Sequence, residues 1–505
     1  MNTQSPSSDL IGQRNVRIEK VKKLQQLGIN PYPTNVKKEI ANQKIREDFS
    51  NLENQKLWVA GRIMSLRNIG KIIFANLQDS SGSIQLYIKE DTIESTNISN
   101  QTLGWEHLNL LDIGDFVSAY GEVTKTKTGE ISILVHNLQV ASKTIRPLPG
   151  KWHGLDDIDE RFRRRYLDMT MNPEIRQRFI RRASFWRNTR KFLDDNGFYE
   201  INIPVLEHVT GGADAKPFVT HYDALGQNLF LRISHELPLK RLLGGGFEKV
   251  YDLGPRFRNE GIDAEHLPEH IAMEFYSAYT DFETGIQMIQ DMFQFILKET
   301  YGKLDFEIEG QKINLDGSWP QKSYEQAMKE FYGDIDIFND SIDKLTQIYR
   351  KHDGKSTEIN NRSRIVDALW KVVRKTIIQP IFITDVPLFL SPLSKKKDEL
   401  RVNRVFPIIA GTEMANAFAE LNDPIDQYER FVEQQKLRDA GDDEAQMLDI
   451  DFVEMLEYGM PPAFGFGMSE RVFWIFEGIS AREGVPFPQL KNDIGEVTKK
   501  IYKIK

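Results

Sequence analysis

The chain has 505 residues, 40% of them hydrophobic and 28% charged, and a formal net charge of -8. This length exceeds one ordinary hydrophobic core and predicts two or more domains, and the negative charge excludes nucleic-acid binding through bulk positive charge. The absence of cysteine excludes disulfides and zinc–thiolate sites and favours a reducing, cytoplasmic setting. No apolar run approaches the roughly 18 residues of a membrane span, and we expect neither a signal peptide nor membrane association.

Residues 1–56 predict an N-terminal helical extension. Val21, Leu24 and Leu27 recur at helical spacing, and a glycine and a proline then end the helix. Its other faces are basic and include Arg14, Arg17, Lys20, Lys22 and Lys23. A solvated face and contact with an RNA backbone are both open at this point.

Residues 57–143 contain five short strand patterns and predict a small β-barrel, followed by a linker at 144–160. In KIIFANLQD and SIQLYIK the apolar residues alternate, so Phe74, Gln85 and Tyr87 face outward. Bases stack on such aromatic side chains for about 1–3 kcal/mol each. Packing of Phe74 under a loop is the alternative interpretation.

Residues 161–505 interleave strands and helices and predict an α+β domain on an antiparallel sheet. The segment 302–380 is interpreted as a helical insertion. The expected strands of this domain are 228–236, 248–258, 270–279, 404–420 and 464–474.

Several charged side chains in these strands suit the chemistry of a nucleotide and an amine. The guanidinium of Arg258 fits phosphate, and small residues in GFGMSER let the backbone approach a ligand beside Arg471. Glu236 and Glu420 lie in apolar surroundings and need a cation, which a substrate ammonium would supply. A structural ion pair with an internal Arg or Lys is the alternative for each.

Read together, these segments resemble class II lysyl-tRNA synthetases from about residue 14 to 490. GKIIFANLQDSSGSIQLYI resembles the OB-fold anticodon-binding domain, and RRRYLDMTMNPEIRQRF resembles motif 1, which builds the family's dimer interface. GPRFRNEG with HLPEHIAMEFYSAY resembles motif 2, and PPAFGFGMSER resembles motif 3. GTEMANAFAELNDPIDQ is similar to the lysine-recognition strand.

The resemblance implies a role for each matching residue. Lysine would be bound by Gly212, Glu236, Glu274, Tyr276, Asn416, Phe418 and Glu420. ATP would be bound by Arg258, Asn259, Glu260, His266, His270, Glu413, Gly467 and Arg471. The catalytic groups among these would be Arg258, Glu260 and Arg471. Glu413 would bind Mg²⁺, with no zinc. The anticodon would contact Phe74, Gln85 and Glu130.

The resemblance also implies an α+β fold with an N-terminal OB-fold and a homodimer. The implied enzyme activates lysine with ATP to lysyl-adenylate and transfers it to the 3′ end of tRNA(Lys). A synthetase of the aspartate or asparagine type, a lysine ligase with a protein acceptor, and a non-catalytic tRNA-binding paralogue are the alternatives.

The sequence departs from the family pattern in four places. Phe406 stands where a second metal-binding carboxylate is usual, and His270 stands where phenylalanine usually stacks on adenine. Motif 3 is one residue short. Glu413 has the opposite strand parity to Asn416 and Glu420, so we expect a bulge or turn between them.

Overall fold

The computed structural model of the chain describes residues 6–149, 157–261, 266–353, 361–441 and 444–504. The chain divides into two compact units, one of residues 1–158 with 491–505 and one of residues 159–490. Part of the linker expected at 144–160 lies at 150–156, outside the described residues. None of the described helices is both long and apolar enough to cross a bilayer.

The first unit is built around a closed five-stranded barrel. In chain order its strands are β1 Lys56–Ile69, β2 Ile72–Gln78, β3 Ser83–Lys89, β4 Phe116–Lys125 and β5 Ile131–Ser142. They close in the order β1-β2-β3-β5-β4, as in an OB-fold. The same unit contains α1 Pro6–Gln26, α2 Asn42–Glu47, α3 Phe49–Leu52, the 3-10 helix Trp105–Leu110 and the C-terminal helix Glu496–Tyr502.

The barrel interior follows the alternation in the sequence. Ala75 and Leu77 of β2 and Ile84, Leu86 and Ile88 of β3 are all buried, at most 2% exposed. The residues between them face outward because successive strand residues point to opposite faces. The outward placement predicted for Phe74 and Tyr87 is therefore confirmed.

Several basic side chains of α1 are engaged within this unit. Arg17 donates to the hydroxyl of Thr144 at 2.8 Å, and Lys20 pairs with Asp112 at 2.8 Å. These contacts favour a structural role over contact with an RNA backbone for both side chains.

The last residues of the chain correct one predicted boundary. The sequence assigned 491–505 to the second domain, but they belong to the first unit. Arg146 donates to the Thr498 hydroxyl at 3.3 Å, and the Arg14 guanidinium lies 6.0 Å from the Tyr502 ring.

The second unit is an α+β domain built on a nine-stranded sheet, and further strands of the unit form smaller sheets. Its strands are β6 Tyr199–Glu200, β7 Leu206–Glu207, β8 Val219–Tyr222, β9 Gln227–Leu231, β10 Lys249–Phe257, β11 Glu269–Ala278, β12 Asp305–Ile308, β13 Gln311–Asn314, β14 Gln321–Ser323, β15 Ile381–Thr384, β16 Val386–Pro387, β17 Arg401–Val402, β18 Arg404–Ile409, β19 Thr412–Glu413, β20 Ala415–Ala419 and β21 Ala463–Ser469. The sheet runs β14-β15-β18-β20-β21-β11-β10-β6, with β19 beside β18. Only the terminal pairs β14–β15 and β10–β6 are parallel, which confirms a mainly antiparallel sheet.

Helices flank this sheet. They are α4 Ile158–Arg163, α5 Arg165–Met171, α6 Pro173–Asp195, α7 Glu236–Gly244, α8 Phe282–Tyr301, α9 Tyr324–Tyr332, α10 Ile342–Asp353, α11 Arg362–Arg374, the 3-10 helix Leu388–Leu390, α12 Pro424–Asp439, α13 Ile450–Tyr458, α14 Arg471–Glu477 and α15 Ala481–Gly484. α6 begins with a proline, and α8 begins where the Asp281 side chain accepts from the Thr284 amide and ends at Gly302 with φ of 72°. Both helices bury apolar faces in the core that covers β11 and β21.

Three predictions about individual elements were wrong. The segment 302–380 is not purely helical, because β12 and β13 form a hairpin and β14 joins the central sheet. In β12 Phe306 and Ile308 are buried in alternation, which is the strand period and not the helix period. The strand expected at 228–236 ends at Leu231, and that expected at 464–474 ends at Ser469, each followed by a helix.

Removal of Lys143 should destabilise the barrel strongly. Its fully buried ammonium lies 2.8 Å from the fully buried Asp115, so Lys143→Met leaves an unpaired carboxylate and should cost about 3–5 kcal/mol of unfolding free energy. Hydrogen exchange in peptides from 57–141 measures the loss. Lys22→Met, which removes an exposed pair with Glu19, should cost no more than about 0.5 kcal/mol. Equal effects of the two variants would contradict the buried pair's role.

Candidate active site

A cavity of about 330 Å³ opens on the central sheet of the second unit. β10, β11, β20 and β21 contribute to its walls. Ten side chains or backbones selected from the sequence line it: Gly212, Glu236, Arg258, Glu274, Tyr276, Glu413, Asn416, Phe418, Gly467 and Arg471. Residues far apart in sequence therefore meet in one place.

Two glycines of β21 make the floor of this cavity. Gly465 pairs with Tyr276 of β11 on one side and Phe418 of β20 on the other, and Gly467 pairs with Glu274 and Asn416. The side chains of these neighbours project over the space that the two glycines leave open. A Cβ at Gly465 would collide with Glu420 Oε1 and the Tyr276 ring. Only glycine is compatible with this arrangement.

Glu274 is an ionised carboxylate at one wall. Its Oε1 accepts from the Ser234 hydroxyl at 2.8 Å, and its Oε2 accepts from the Tyr276 hydroxyl at 3.0 Å. Burial alone would raise the pKa of Glu274, but the neighbouring His235 and Arg256 outweigh burial and hold the pKa at about 2. Glu274 is thus a fixed negative charge suited to an ammonium group.

Two further carboxylates share an ammonium group of the protein itself. Glu236 lies 2.5 Å from Nζ of Lys240, one helical turn later on α7, and Glu420 binds the same Nζ. Burial raises the pKa of both carboxyl groups, to about 7 for Glu236, although Lys240 opposes the shift. The two carboxylates raise the pKa of Lys240 above its usual value, which keeps it charged.

Glu420 is not itself one of the lining residues of the cavity. It is fully buried below the cavity wall and bound to Lys240, whereas Glu236 lines the cavity. Its Oε1 has no hydrogen-bond partner among the described residues and faces the gap at Gly465. One carboxylate oxygen thus remains directed toward the cavity floor.

Arginines also line the cavity. Arg256 lies on β10 and Arg258 directly follows that strand. Burial lowers the pKa of both, and the neighbouring Arg258 lowers that of Arg256 further, to about 9. A bound anion would relieve both effects. Arg471 lines the cavity, and the preceding Glu470 is held by Arg182 of α6 at 2.6 Å.

His270 supports Arg256 and does not line the cavity. Its Nε2 accepts a hydrogen bond from Nε of Arg256 at 2.7 Å. Burial and the two arginines hold the pKa of His270 well below its usual value, so the ring stays neutral. Asn259, Glu260 and His266 are exposed on either side of 262–265, a segment outside the described residues, and do not line the cavity.

Glu413 reaches the cavity through a break in the strand, as its parity requires. β19 ends at Glu413 and β20 starts at Ala415, with the turn at Ala410 and Gly411 in the left-handed region. Glu413 Oε1 accepts from the Trp370 indole at 2.7 Å. The expected strand 404–420 is therefore three short strands.

The residues present fit one Mg²⁺ held with help from a nucleotide. Phe406 is 3% exposed in an apolar cluster beside Trp370 and offers no ligand. Among the residues that the structure describes, no three His, Asp or Glu side chains could hold a metal ion by themselves. Mg²⁺ commonly uses one or two carboxylates together with substrate phosphates, and Glu413 supplies one carboxylate in the cavity wall.

Sequence reasoning missed the residues that bind the side chains of the predicted site residues. Lys240 binds Glu236 and Glu420, Arg404 donates to Asn416 Oδ1 at 2.8 Å, and Ser234 donates to Glu274. The four-residue spacing of Glu236 and Lys240 is a helical ion-pair signal. The sequence interpretation overlooks this signal because it places Glu236 at the end of a strand, whereas Glu236 is the first residue of α7.

The barrel of the first unit carries a separate candidate nucleic-acid surface. Phe74 and Tyr87 are cross-strand partners whose rings stack 5.2 Å apart at 9°. Gln85 accepts from the Ser132 hydroxyl at 2.9 Å, and Glu130 pairs with Arg46 at 2.7 Å. The stacked rings provide an aromatic platform with amide groups beside it.

Comparison with known proteins matches both units. Residues 57–141 match the OB-fold nucleic acid binding domain, and residues 157–491 match the class II tRNA synthetases (D, K and N). The lysine–tRNA ligase of Thermotoga maritima is 41% identical over 94% of this chain and 95% of its own length. The lysine–tRNA ligase of Moorella thermoacetica is 42% identical over 94% of this chain and 97% of its own length. The chain therefore belongs to the lysine–tRNA ligase family of class II tRNA synthetases.

Proposed function

We propose that this enzyme joins lysine to tRNA(Lys) in two steps driven by ATP. The observation that carries the proposal is a single cavity lined by both carboxylates and arginines. Glu274 suits the α-ammonium of an amino acid, and Glu236 with Glu420 suits a side-chain ammonium. Arg258 and Arg471 suit the phosphates of the nucleotide.

In the first step the carboxylate oxygen of lysine attacks the α-phosphorus of ATP. A new phosphorus–oxygen bond forms, the bond to the β-phosphate oxygen breaks, and pyrophosphate leaves. Arg258 stabilises the negative charge that develops at phosphorus. The carboxylates at the far end fix lysine in line with the phosphate, and such positioning supplies most of the rate in phosphoryl transfer.

In the second step the 3′-hydroxyl of the terminal adenosine attacks the carbonyl carbon of lysyl-adenylate. The ester bond to tRNA forms, the bond to the phosphate oxygen breaks, and AMP leaves with that electron pair, while the hydroxyl proton passes to the leaving phosphate or to water. Glu413, with the nucleotide phosphates, would hold Mg²⁺, which supplies charge neutralisation at those phosphates when bound.

Lys240 bears on the alternative of an aspartate or asparagine substrate. A substrate carboxylate would need a free cation at the side-chain end of the cavity. Lys240 is the cation there, but it already lies between Glu236 and Glu420. Lys240 is therefore not available to pair with a substrate carboxylate, which favours an ammonium substrate.

We also propose a homodimer that works in the cytoplasm, with the barrel at 57–143 as the anticodon-binding domain. Tyr166 of α5, Ile180 of α6 and Phe487 are 48–67% exposed, and such large apolar side chains favour burial against another subunit. Tyr166 lies in the segment 163–179 that resembles motif 1, and Ile180 directly follows it. The lack of cysteine suits a reducing compartment.

Amino-acid-dependent pyrophosphate exchange across a panel of amino acids tests the activity. Lysine should support exchange, and aspartate and asparagine should not. Glu420→Gln should raise the KM for lysine about 10–100-fold, because a charged hydrogen bond is lost, with little change in the KM for ATP. Exchange with aspartate alone would contradict the proposal, and equal effects on both KM values would remove Glu420 from lysine recognition.

Phe74→Ala should weaken aminoacylation of tRNA(Lys), raising the KM for tRNA about tenfold by loss of one stacking contact. Lysine-dependent pyrophosphate exchange should stay at the level of the unchanged chain, because Phe74 lies in the barrel. Ile69→Ala, at an exposed position of β1, serves as the matched control. Loss of both activities in Phe74→Ala would make Phe74 a structural residue.

Ile180→Asp should shift the enzyme from dimer to monomer, because it places a charge in the proposed interface. Sedimentation velocity at micromolar concentration measures the change in mass. Ile425→Asp introduces the same charge at a position that is 72% exposed on α12 and should leave the mass unchanged. A monomeric unmodified chain, or a dimer that survives Ile180→Asp, would count against this interface.

A further inference from the structure

The ammonium group of Lys240 is buried behind the cavity wall, beside Glu236 and Glu420. Its side chain is fully buried, and Nζ contacts one oxygen of Glu236 and one of Glu420. Aromatic rings surround the group on its other sides, with centroids 5.4–6.0 Å from Nζ, and they belong to Phe418, Tyr276 and Phe452. The contacts hold Lys240 in one position and shield it from water.

The acidic groups at this end outnumber the ammonium group that contacts them. Glu236 and Glu420 are two carboxyl groups, and both contact the single ammonium group of Lys240. The Oε1 atom of Glu420 has no hydrogen-bond partner in the described part of the chain and faces the gap above Gly465. One further ammonium group would balance the set, and the cavity gives it access to this end.

We propose that Lys240 is a specificity-determining counter-ion, which neutralises one charge of the Glu236–Glu420 pair and leaves the other for a single substrate ammonium. The inference rests on the proposed function and deepens it. Lys240 acts through the two carboxylates, so it is a positioning residue and need not touch the reacting atoms. A neutral side chain in the cavity would leave one buried carboxylate unpaired, and this penalty rejects it.

The pair would behave differently without Lys240. Burial already raises the pKa of both carboxyl groups against the attraction of Lys240, so loss of that charge raises them further. Loss of Lys240 would therefore favour the protonated forms of the two carboxyl groups. A protonated carboxyl group neither attracts an ammonium nor penalises an apolar side chain, so both affinity for lysine and selectivity should fall.

Lys240→Met tests this in pyrophosphate exchange with the full chain. The KM for lysine should rise at least about tenfold, whereas the KM for ATP should change by less than about threefold. The preference for lysine over norleucine, which has hydrogen in place of the ε-ammonium group, should fall at least about tenfold. The control is Arg241→Met, which removes the neighbouring cation on α7 and its pair with Asp449 at 2.9 Å. It should change neither the KM for lysine nor the selectivity.

Chemical rescue separates charge from shape. Lys240→Ala removes three carbons and the ammonium group, which propylammonium added to the assay can replace. Propylammonium should restore at least about a tenth of the lost kcat/KM for lysine, and 1-propanol, which lacks the charge, should not. Equal rescue by both compounds would mean that Lys240 only fills space, and the proposal would then be wrong.

The outcomes separate this inference from the function on which it rests. An unmodified chain without lysine-dependent exchange would overturn the proposed function and the inference together. An active chain whose Lys240→Met variant keeps its KM for lysine and its selectivity would overturn the inference alone. Failure of both Lys240 variants to fold, even with propylammonium, would assign Lys240 a structural role and also overturn it.

Discussion

Desolvation of negative charge governs the architecture of the catalytic unit. Glu236, Glu274 and Glu420 are each at most 5% exposed beside an apolar sheet, and an isolated carboxylate in such a place would take up a proton. Each carboxylate therefore has hydrogen-bond donors or a cation beside it. Ser234 and Tyr276 hold Glu274, while Lys240 holds the other two. The fold keeps a negative site in a dry environment, where recognition of charge is strongest.

The backbone of β21 leaves space for a ligand beside these carboxylates. β21 lies between β11 and β20. Its glycines have no side chains at the positions where the side chains of both neighbouring strands converge. Its last residues lead directly into α14, whose first residue is Arg471. Arg182 of α6 pairs with Glu470, which lies between β21 and α14. Because α6 begins within the segment that resembles motif 1, that segment also helps to fix the position of Arg471. Recognition of the amine and of the nucleotide thus depend on one strand.

Much of this arrangement was predictable from the sequence, because strand alternation and motif order are local signals. Barrel strands, α6, α8 and the facing of Phe74 follow from periodicity alone. Glu413 was expected to need a break in the strand, and one exists beside it. What the sequence could not give is pairing between distant segments. The partners of Glu420 and Asn416 come from α7 and β18, and nothing in the local pattern of 411–422 names them. His270 likewise supports Arg256 through a contact that only the paired strands β10 and β11 create.

The spacing between Glu236 and Lys240 has a consequence for changes of sequence between them. The two groups face each other only because three residues separate them on one helix. Deletion or insertion of a single residue there would turn Lys240 by about 100° around the helix axis, away from both carboxylates. A change in the length of the segment 237–239 should therefore disrupt the pair, whereas a substitution that keeps the apolar packing of Leu237 and Leu239 should leave it in place.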